Sequence, residues 1–444
     1  MENTVRFPKP YLAEGEVHIT APSYAEEYRM RIRELRRELV LPGFRPGQVP
    51  SDVVMGRYGE QILSELLADK FLNALRTLVG DRELFQLPFY ERSPETYQVK
   101  PPFADYVYRF RALVVPKEPL LSRDLRLSKY VYQSDPSDLD TFKSYLQVAF
   151  GSLEELEILP ESLPSDKHIL LRLRWEPQEG AISLRLRWNS YIQPFPWSNL
   201  AGRKVGDTIE LPPQILAPYT EYIRSFYPDF SLITTPSAKL TIVAGAYSTP
   251  LSIEVLEEKL RLSTSTDSST QETWMNLIQR HVEATLTQLN EYRRKNQLLY
   301  AAGISLPPEI VQYQYLIYLS TRSQKNGKVI DYAEFQQELA WELLFQNLIA
   351  SEPALQISQE ELKETLWQKV QEIGNLSNEA DNFLSSLKES ETAREAFINN
   401  LLQTNESQLR RSLQQKRLET FLEERFGPPT EVPLSLRTIL LYTL

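Results

Sequence analysis

A proline-rich loop at residues 43–50, with the sequence GFRPGQVP, carries the side chains of this chain that are best suited to binding another molecule. It places an aromatic ring, Phe44, beside a guanidinium group, Arg45. Because a proline fixes φ at about −65° and removes a donor, such a loop loses little conformational entropy when it docks. The prolines are Pro42, Pro46 and Pro50. These residues predict a docking element, although an ordinary turn with Phe44 folded into the core fits the loop chemistry equally well.

Two amphipathic helices are predicted to hold this loop between them. Upstream, residues 24–40 place apolar side chains along one face, at Tyr28, Ile32, Leu35 and Leu39. Downstream, Ser51 is a suitable N-cap. Apolar residues then recur every four positions, at Val54, Tyr58, Ile62 and Leu66. The loop is therefore predicted to be the tip of a helical hairpin.

Arginines are concentrated around the loop. Residues 29–57 hold seven arginines and three acidic residues, a local charge of +4 in a chain whose formal charge is −10. A cationic surface on an otherwise acidic protein favours attraction to an RNA-rich partner, whereas the alternative is an ordinary solvated helix face. The candidate basic patch consists of Arg29, Arg33, Arg36, Arg37 and Arg57.

Composition narrows the class of protein. The chain has 444 residues, a length that allows about two to four domains. It has no cysteine, which excludes disulfides and thiolate chemistry and fits a reducing compartment. No apolar run approaches the roughly 18 residues of a membrane span, and the first residues lack the basic-then-apolar pattern of a secretory signal. We therefore expect a soluble, cytoplasmic protein.

The first region of the chain ends near Pro116 and predicts an α+β domain. It combines the two helices with strand candidates at residues 16–20 and 106–115. A further extended segment is predicted at residues 127–132, followed by a helix over residues 138–156.

The rest of the chain is first rich in predicted strands and then helical. Within residues 167–248, the near-copies ILLRLRW and ISLRLRW alternate apolar residues with arginines around the turn EPQEG, which predicts a hairpin. GRKVGDTIEL and AKLTIVAGAY add two strand candidates. After the polar stretch at residues 263–270, the chain is predicted to be helical. The first helix runs from Trp274 to Gly303, the second begins at Pro307, and the third covers residues 332–350. A fourth runs from the capping box of Ser358 and Glu361 to Gly374, and two more cover residues 392–402 and 408–426.

The segment GFRPGQVPSDVVMGRYGEQILSELLADKFLNAL, which begins at Gly43, resembles the signature hairpin of trigger factor, a bacterial chaperone family that docks at the ribosomal exit tunnel. One departure matters: the family's lysine is Pro46 here, so the tip has one cation fewer. The later regions are similar in order to the family, most of all to its branch in the Bacteroidetes. The residues that carry the resemblance are Gly43, Phe44, Arg45, Gly47, Val49, Pro50, Val53, Val54, Tyr58 and Gly59.

The resemblance implies an α+β multidomain fold with four parts. Residues 1–118 would form an α+β ribosome-binding domain that contains the helical hairpin, and residues 119–165 a linker or arm. Residues 166–250 would form a small, β-rich, degenerate FKBP-like domain. Residues 251–444 would form an all-α, SurA-like chaperone body.

The function that the resemblance implies is that of an ATP-independent chaperone which shields nascent polypeptides. Its tip would bind the large ribosomal subunit near the exit tunnel through Gly43, Phe44, Arg45, Pro46 and Gly47. We expect no cofactor, no DNA partner and no membrane partner, and a homodimer is a further expectation from the family. Three tyrosines suit weak contacts with unfolded clients, although packing between helices is the commoner role of such residues. They are Tyr313, Tyr315 and Tyr318.

Members of the family commonly carry a peptidyl-prolyl isomerase, whose chemistry needs an apolar aromatic pocket that favours the transition state. The segment that builds this pocket in the family is missing, and YIQPFPWSNL takes its place. We expect no efficient isomerase activity, because core packing explains the local aromatic residues better. These are Trp188, Tyr191, Phe195 and Trp197.

Two alternatives to the ribosome-associated chaperone remain open. One is an active isomerase with a divergent domain, and the other is a helical chaperone or assembly factor that works away from ribosomes.

The sequence predicts no metal site, because His18, His168 and His281 are far apart and fit no metal-binding spacing.

Overall fold

The computed structural model describes residues 2–45, 48–122, 124–162, 166–175, 184–189, 197–227, 230–263, 270–323, 329–374, 387 and 390–441. The chain forms two compact units, Met1–Leu120 with Ile304–Phe421 and Leu121–Gly303 with Leu422–Leu444. Each unit has a hydrophobic core of its own and combines helices with strands. The predicted α+β multidomain fold is therefore confirmed.

The first 120 residues form a sheet that is covered by two helices. The elements are β1 (Thr4–Lys9), β2 (Leu12–Ile19), α1 (Ala21–Glu38), α2 (Ser51–Val79), β3 (Glu83–Leu84), β4 (Phe89–Ser93) and β5 (Tyr106–Val115). The strand order is β1-β2-β5-β3, β4 also pairs with β5, and every pair is antiparallel. Alternate residues of β5 face the core, where the ring of Phe71 on α2 stacks on Tyr108 at 4.8 Å.

Residues 121–303 contain a second antiparallel sheet. The elements are β6 (Ser128–Gln133), α3 (Asp138–Ala149), β7 (Ser152–Leu156), β8 (His168–Trp175), β9 (Leu184–Asn189), β10 (Thr208–Leu211), α4 (Thr220–Phe226), β11 (Ala238–Thr249), α5 (Ile253–Ser263) and α6 (Thr270–Ala301). The strand order is β10-β11-β8-β9, and β7 also pairs with β11. The two arginine-containing repeats pair as β8 and β9, with Leu173 opposite Leu186. Their predicted connecting turn lies outside the described residues.

The remaining residues are mainly helical. They form α7 (Pro308–Ser323), α8 (Tyr332–Ser351), α9 (Gln359–Gly374) and α10 (Glu391–Phe426), and then β12 (Thr430–Ser435) and α11 (Leu436–Leu440). Strand β12 pairs with β6 in parallel, from Thr430 opposite Ser128 to Ser435 opposite Gln133. In the part of the chain that the structure describes, no helix is both long and apolar enough to cross a membrane.

Several local predictions were wrong. The helix predicted over residues 138–156 ends at Ala149, because the chain turns at Gly151 and continues as β7 beside β11. The helices predicted at 392–402 and 408–426 are the single helix α10, in which Asn405 Nδ2 donates to the carbonyl of Leu401 at 2.9 Å. Ser51 is the first residue of α2 and not its cap, since Pro50 holds the cap position.

The predicted four-part division differs from the two units of the structure. Residues 304–421 share a unit with the first 120 residues, and the second sheet includes β7, which precedes residue 166. The core of the second unit also draws on α3, α6 and α11. The boundaries at residues 118, 165 and 250 and the FKBP-like and SurA-like identities therefore stay predictions.

Asn347 on α8 ties the segment after β5 to the helices of the first unit. Its side-chain Nδ2 donates to the carbonyls of Pro116 at 2.7 Å and Glu118 at 2.9 Å, and its Oδ1 accepts from the N–H of Leu120 at 3.0 Å. The residue is fully buried. One amide thus satisfies three backbone groups that would otherwise lose hydrogen bonds away from water.

We expect Asn347→Leu to lower the free energy of unfolding by about 3 kcal/mol, because it leaves these backbone groups without partners. Urea unfolding followed by circular dichroism measures the change. The neighbouring half-buried Gln346, whose amide donates only to Glu342, is the matched control. Gln346→Leu should change stability by at most about 0.5 kcal/mol. Equal effects of the two substitutions would contradict the proposed anchoring role.

Candidate functional site

The hairpin of α1 and α2 is held together by a close helix contact at Gly59. A Cβ atom at this position would lie 2.7 Å from the hydroxyl oxygen of Tyr28 on α1. Tyr28 is buried, and its hydroxyl has no hydrogen-bond partner among the described residues. Burial raises the pKa of Tyr28 to about 12. The glycine therefore lets the two helices approach at the point where a buried tyrosine crosses between them.

Two backbone hydrogen bonds and two buried side chains hold the described residues between the helices. The N–H of Phe44 donates to the carbonyl of Leu41 at 3.1 Å, and the N–H of Gln48 donates to the carbonyl of Arg45 at 2.9 Å. The side chains of Leu41 and Val49 are only 8% and 1% exposed. Gly43 has a φ of 91°, a conformation that non-glycine residues rarely adopt.

The side chains at the tip lie on the surface. Phe44 is 39% exposed, so its ring is not folded into the core. Arg45 is exposed, and within the described ranges its guanidinium has neither an ion pair nor a hydrogen bond. Gly43 is exposed at the start of the turn. Two predicted site residues, Pro46 and Gly47, lie outside the described residues.

The candidate basic patch is largely solvent-facing. Arg29, Arg33 and Arg37 follow one another at four-residue spacing on α1 and are exposed, as is Arg57 on α2. The guanidinium of Arg29 also lies 5.2 Å from the ring centre of Phe103. Arg36 is half-buried, and its Nη1 donates to Ser51 Oγ at 3.3 Å.

Arg31, which the sequence analysis did not include in the patch, is neutralised by its neighbours. It forms ion pairs with Glu27 at 3.1 Å and with Asp69 at 3.6 Å. A hydrogen bond from Lys70, together with the Arg31 pair, lowers the pKa of Glu27 despite partial desolvation. The four exposed arginines therefore carry the positive potential of this surface.

The three candidate tyrosines of α7 are half-buried and make structural contacts. Tyr313 meets Phe89 edge-on at 5.9 Å, while Tyr315 and Tyr318 each lie 5.2 Å from Phe335 on α8. The Tyr315 hydroxyl donates to the carbonyl of Ile330 at 3.0 Å, and the N–H of Ile330 donates to the Tyr318 hydroxyl at 3.3 Å. Tyr313 thus packs against strand β4, and Tyr315 and Tyr318 pack against α8.

A leucine that sequence reasoning missed offers a more accessible apolar surface on the same helix. Leu316, which directly follows Tyr315, is 58% exposed. Its outward position could have been read from the helical period, because it falls between the residues that face α8.

The aromatic residues that were expected to pack in the core of the β-rich region are only partly described. Trp188 is buried in the core of the second unit and stacks on Trp197 at 6.3 Å. The Trp197 indole N–H donates to the carbonyl of Pro160 at 3.2 Å. Tyr191 and Phe195 lie outside the described residues.

The three histidines lie on different elements. His18 is on β2, His168 on β8 and His281 on α6. Burial lowers the pKa of His281, whose ring packs 5.5 Å from Phe142 and 5.6 Å from Tyr145.

Comparison with known proteins finds a family that is similar to the region containing the hairpin. Residues 1–143 match the family model for the bacterial trigger factor protein (TF). The predicted resemblance to trigger factor is therefore confirmed, and the matched region contains the complete hairpin and the first sheet.

Individual trigger factors are similar over short stretches. The trigger factor of Azospirillum brasilense is 41% identical over 71 residues, which is 16% of each chain. That of Alkalilimnicola ehrlichii is 42% identical over 68 residues, 15% of each chain, and that of Treponema denticola is 29% identical over 94 residues, 21% of each chain. The chain thus matches about a sixth of the length of most of these curated relatives.

A solved structure from work on promiscuous substrate recognition in folding and assembly activities of the trigger factor chaperone was also found. It aligns with 96% of this chain and 100% of its own, at 17% identity and a TM-score of 0.35. A likeness of this size carries no argument about fold or function.

We expect Gly59→Ala to destabilise the hairpin of α1 and α2 by about 1–3 kcal/mol, because the added methyl group would overlap the Tyr28 hydroxyl. Gly56 lies on the same helix with open space around its Cβ position and is the matched control. Gly56→Ala should instead stabilise by up to about 1 kcal/mol through helix propensity. Urea unfolding of both variants measures the difference, and a shift of the same sign in both would contradict the close-packing role of Gly59.

Proposed function

We propose that this chain is an ATP-independent molecular chaperone that docks beside the exit tunnel of the large ribosomal subunit and shields nascent polypeptides. The observation that carries the proposal is the tip of the trigger factor hairpin, where Phe44 and Arg45 point outward from a loop anchored by Leu41 and Val49. An exposed ring beside an unpaired guanidinium resembles the aromatic and arginine anchors that dominate protein interfaces.

The charge distribution supports docking on an RNA-rich surface. Arg29, Arg33, Arg37 and Arg57 are exposed beside the tip, whereas the whole chain carries a formal charge of −10. A local cationic patch can attract ribosomal RNA while the remainder of the protein is repelled from it. The cation that the family places at position 46 is replaced by proline, so in this proposal the helix arginines supply the attraction.

Client shielding is proposed for the exposed apolar side chains of the helical segments. Leu316 and Tyr332 are exposed beside the packed tyrosines of α7 and α8. Such scattered apolar surface can cover unfolded segments weakly and release them without an energy source. We place this activity in the cytoplasm, with the ribosome and unfolded chains as partners, and a homodimer through the docking domain as a further state. No isomerase step is part of the proposal.

Ribosome docking is tested by co-sedimentation of the full chain with purified ribosomes. Phe44→Ala with Arg45→Ala should weaken pelleting by roughly tenfold or more, as expected for loss of two interface anchors. Both side chains are exposed, so the urea midpoint should not change. The matched control is Met275→Ala with Arg280→Ala, an exposed apolar and arginine pair on α6.

Equal pelleting of the tip variant and the wild type would contradict docking through the tip. If that variant also still suppresses aggregation of an unfolded client, the function would be that of a chaperone away from ribosomes.

The basic patch is tested by the salt dependence of the same binding. The slope of log K against log salt is negative, and each phosphate contact contributes about 0.7–0.9 to its size. Replacing Arg33, Arg37 and Arg57 with glutamine should therefore make the slope less steep by about 2. Arg31→Gln is the control, because Arg31 is already paired with Glu27 and Asp69. An unchanged slope in the triple variant would exclude RNA contacts by this surface.

A further inference from the structure

The register of the β8–β9 hairpin places arginines in opposed positions, Arg172 with Arg187 and Arg174 with Arg185. On β8, Arg172 and Arg174 alternate with buried residues and are exposed. Neither of these two guanidinium groups has an acidic partner in the part of the chain that the structure describes. Arg172 and Arg174 are called the arginine ladder below.

A groove of about 800 Å³ lies beside this ladder on the same face. Alternation along β8 turns Ile169, Leu171 and Leu173 into the core and leaves Leu170 and Arg172 on the outer side. Small residues of β11, Ala244 and Ala246, pair with Arg172 and Leu170 and leave the centre of the face open. The floor of the groove is thus aliphatic, with arginines along one side.

Exposed aliphatic side chains surround the groove. Four such residues line the groove, and they are Leu153, Ile158, Val205 and Val243. All four are exposed, and Leu153 is 58% exposed. A register shift between Ile242 and Ala244 brings Val243 to the surface. Apolar side chains gathered around one concavity mark a binding surface more often than scattered ones do.

We infer that this groove binds an extended polypeptide segment in which aliphatic side chains flank a carboxylate. The carboxylate pairs with the guanidinium of Arg172, an arrangement that arginine and carboxylate favour. The aliphatic side chains on either side cover Leu170 and the exposed rim. The biological role of the segment, as part of an unfolded client, rests on the chaperone function proposed above.

The lining favours a polypeptide over a nucleic acid. Glu155 on β7 and Glu157, which follows the strand, line the groove and would repel a run of phosphates. Of the described lining residues, Trp188 is the one aromatic side chain, and it is buried in the core and not available for base stacking. Because the chain as a whole carries a charge of −10, this ladder provides an attractive surface for acidic segments that the rest of the molecule repels.

Binding is measured by fluorescence anisotropy of the full chain with labelled peptides. The probe is Gly-Ser-Leu-Val-Asp-Leu-Val-Ser-Gly, and its neutral counterpart has asparagine in place of the aspartate. We expect Arg172→Gln to weaken binding of the acidic probe by about fivefold and of the neutral peptide by less than about twofold. Arg172 is exposed, so the urea midpoint should not change. Arg280→Gln, which removes an exposed charge from α6, is the matched control.

Equal weakening of both peptides by Arg172→Gln would overturn the role of the carboxylate. Equal effects of Arg172→Gln and Arg280→Gln would mean that net charge alone, and not this groove, determines binding.

Photocrosslinking separates this inference from the chaperone function itself. A p-benzoylphenylalanine residue is placed at Leu153 in the groove or at Leu316 on α7, two positions of equal exposure. Crosslinks from Leu153 to an acidic unfolded client support the groove. Crosslinks from Leu316 alone overturn the groove but leave the chaperone function intact, and crosslinks from neither position contradict both.

Discussion

The outward position of Phe44 depends on the burial of Leu41 and Val49. Each of these side chains gains about 1.5–3 kcal/mol on leaving water, and together they fix both sides of the turn against the helices. The N–H of Phe44 donates to the carbonyl of Leu41 and the N–H of Gln48 to that of Arg45, while the ring of Phe44 lies at the surface. The exposed ring is therefore a consequence of how the loop is anchored, and the close contact at Gly59 holds the helices to which it is anchored.

Local periodicity predicted the two helices that hold the tip. Whether the ring of Phe44 faces the core or the solvent could be decided only from the tertiary structure. The four-residue spacing in α1 and the apolar run of Tyr106–Val115 are dictated by neighbouring residues, so the sequence alone was sufficient for them. The loop chemistry of Phe44 fitted a buried and an exposed ring equally. In the structure the buried side chains of this segment are Leu41 and Val49, which the sequence analysis did not weigh.

The errors in the fold arise where partners are distant in sequence. Strand β12 was missed because its partner β6 lies about 300 residues earlier, and parallel pairing of this kind leaves no local signal. The strand tolerates Pro433 because the N–H of Thr430 donates to the carbonyl of Leu127. Alternate positions therefore face β6, and Pro433 faces away from it. Similarly, the residues of β7 were assigned to a helix because their pairing with β11 was not visible locally.

Arginine is concentrated twice in an acidic chain, and its surroundings separate the two proposed roles. On the hairpin, Arg33 and Arg37 are exposed on a helix next to an aromatic tip, a setting suited to a polyanion and to contacts that salt weakens strongly. On the second sheet, Arg172 lies beside an aliphatic floor and near Glu155, which excludes a run of phosphates but admits a single carboxylate. Charge alone does not distinguish these surfaces. The apolar and acidic neighbours of each guanidinium determine which anion it can bind.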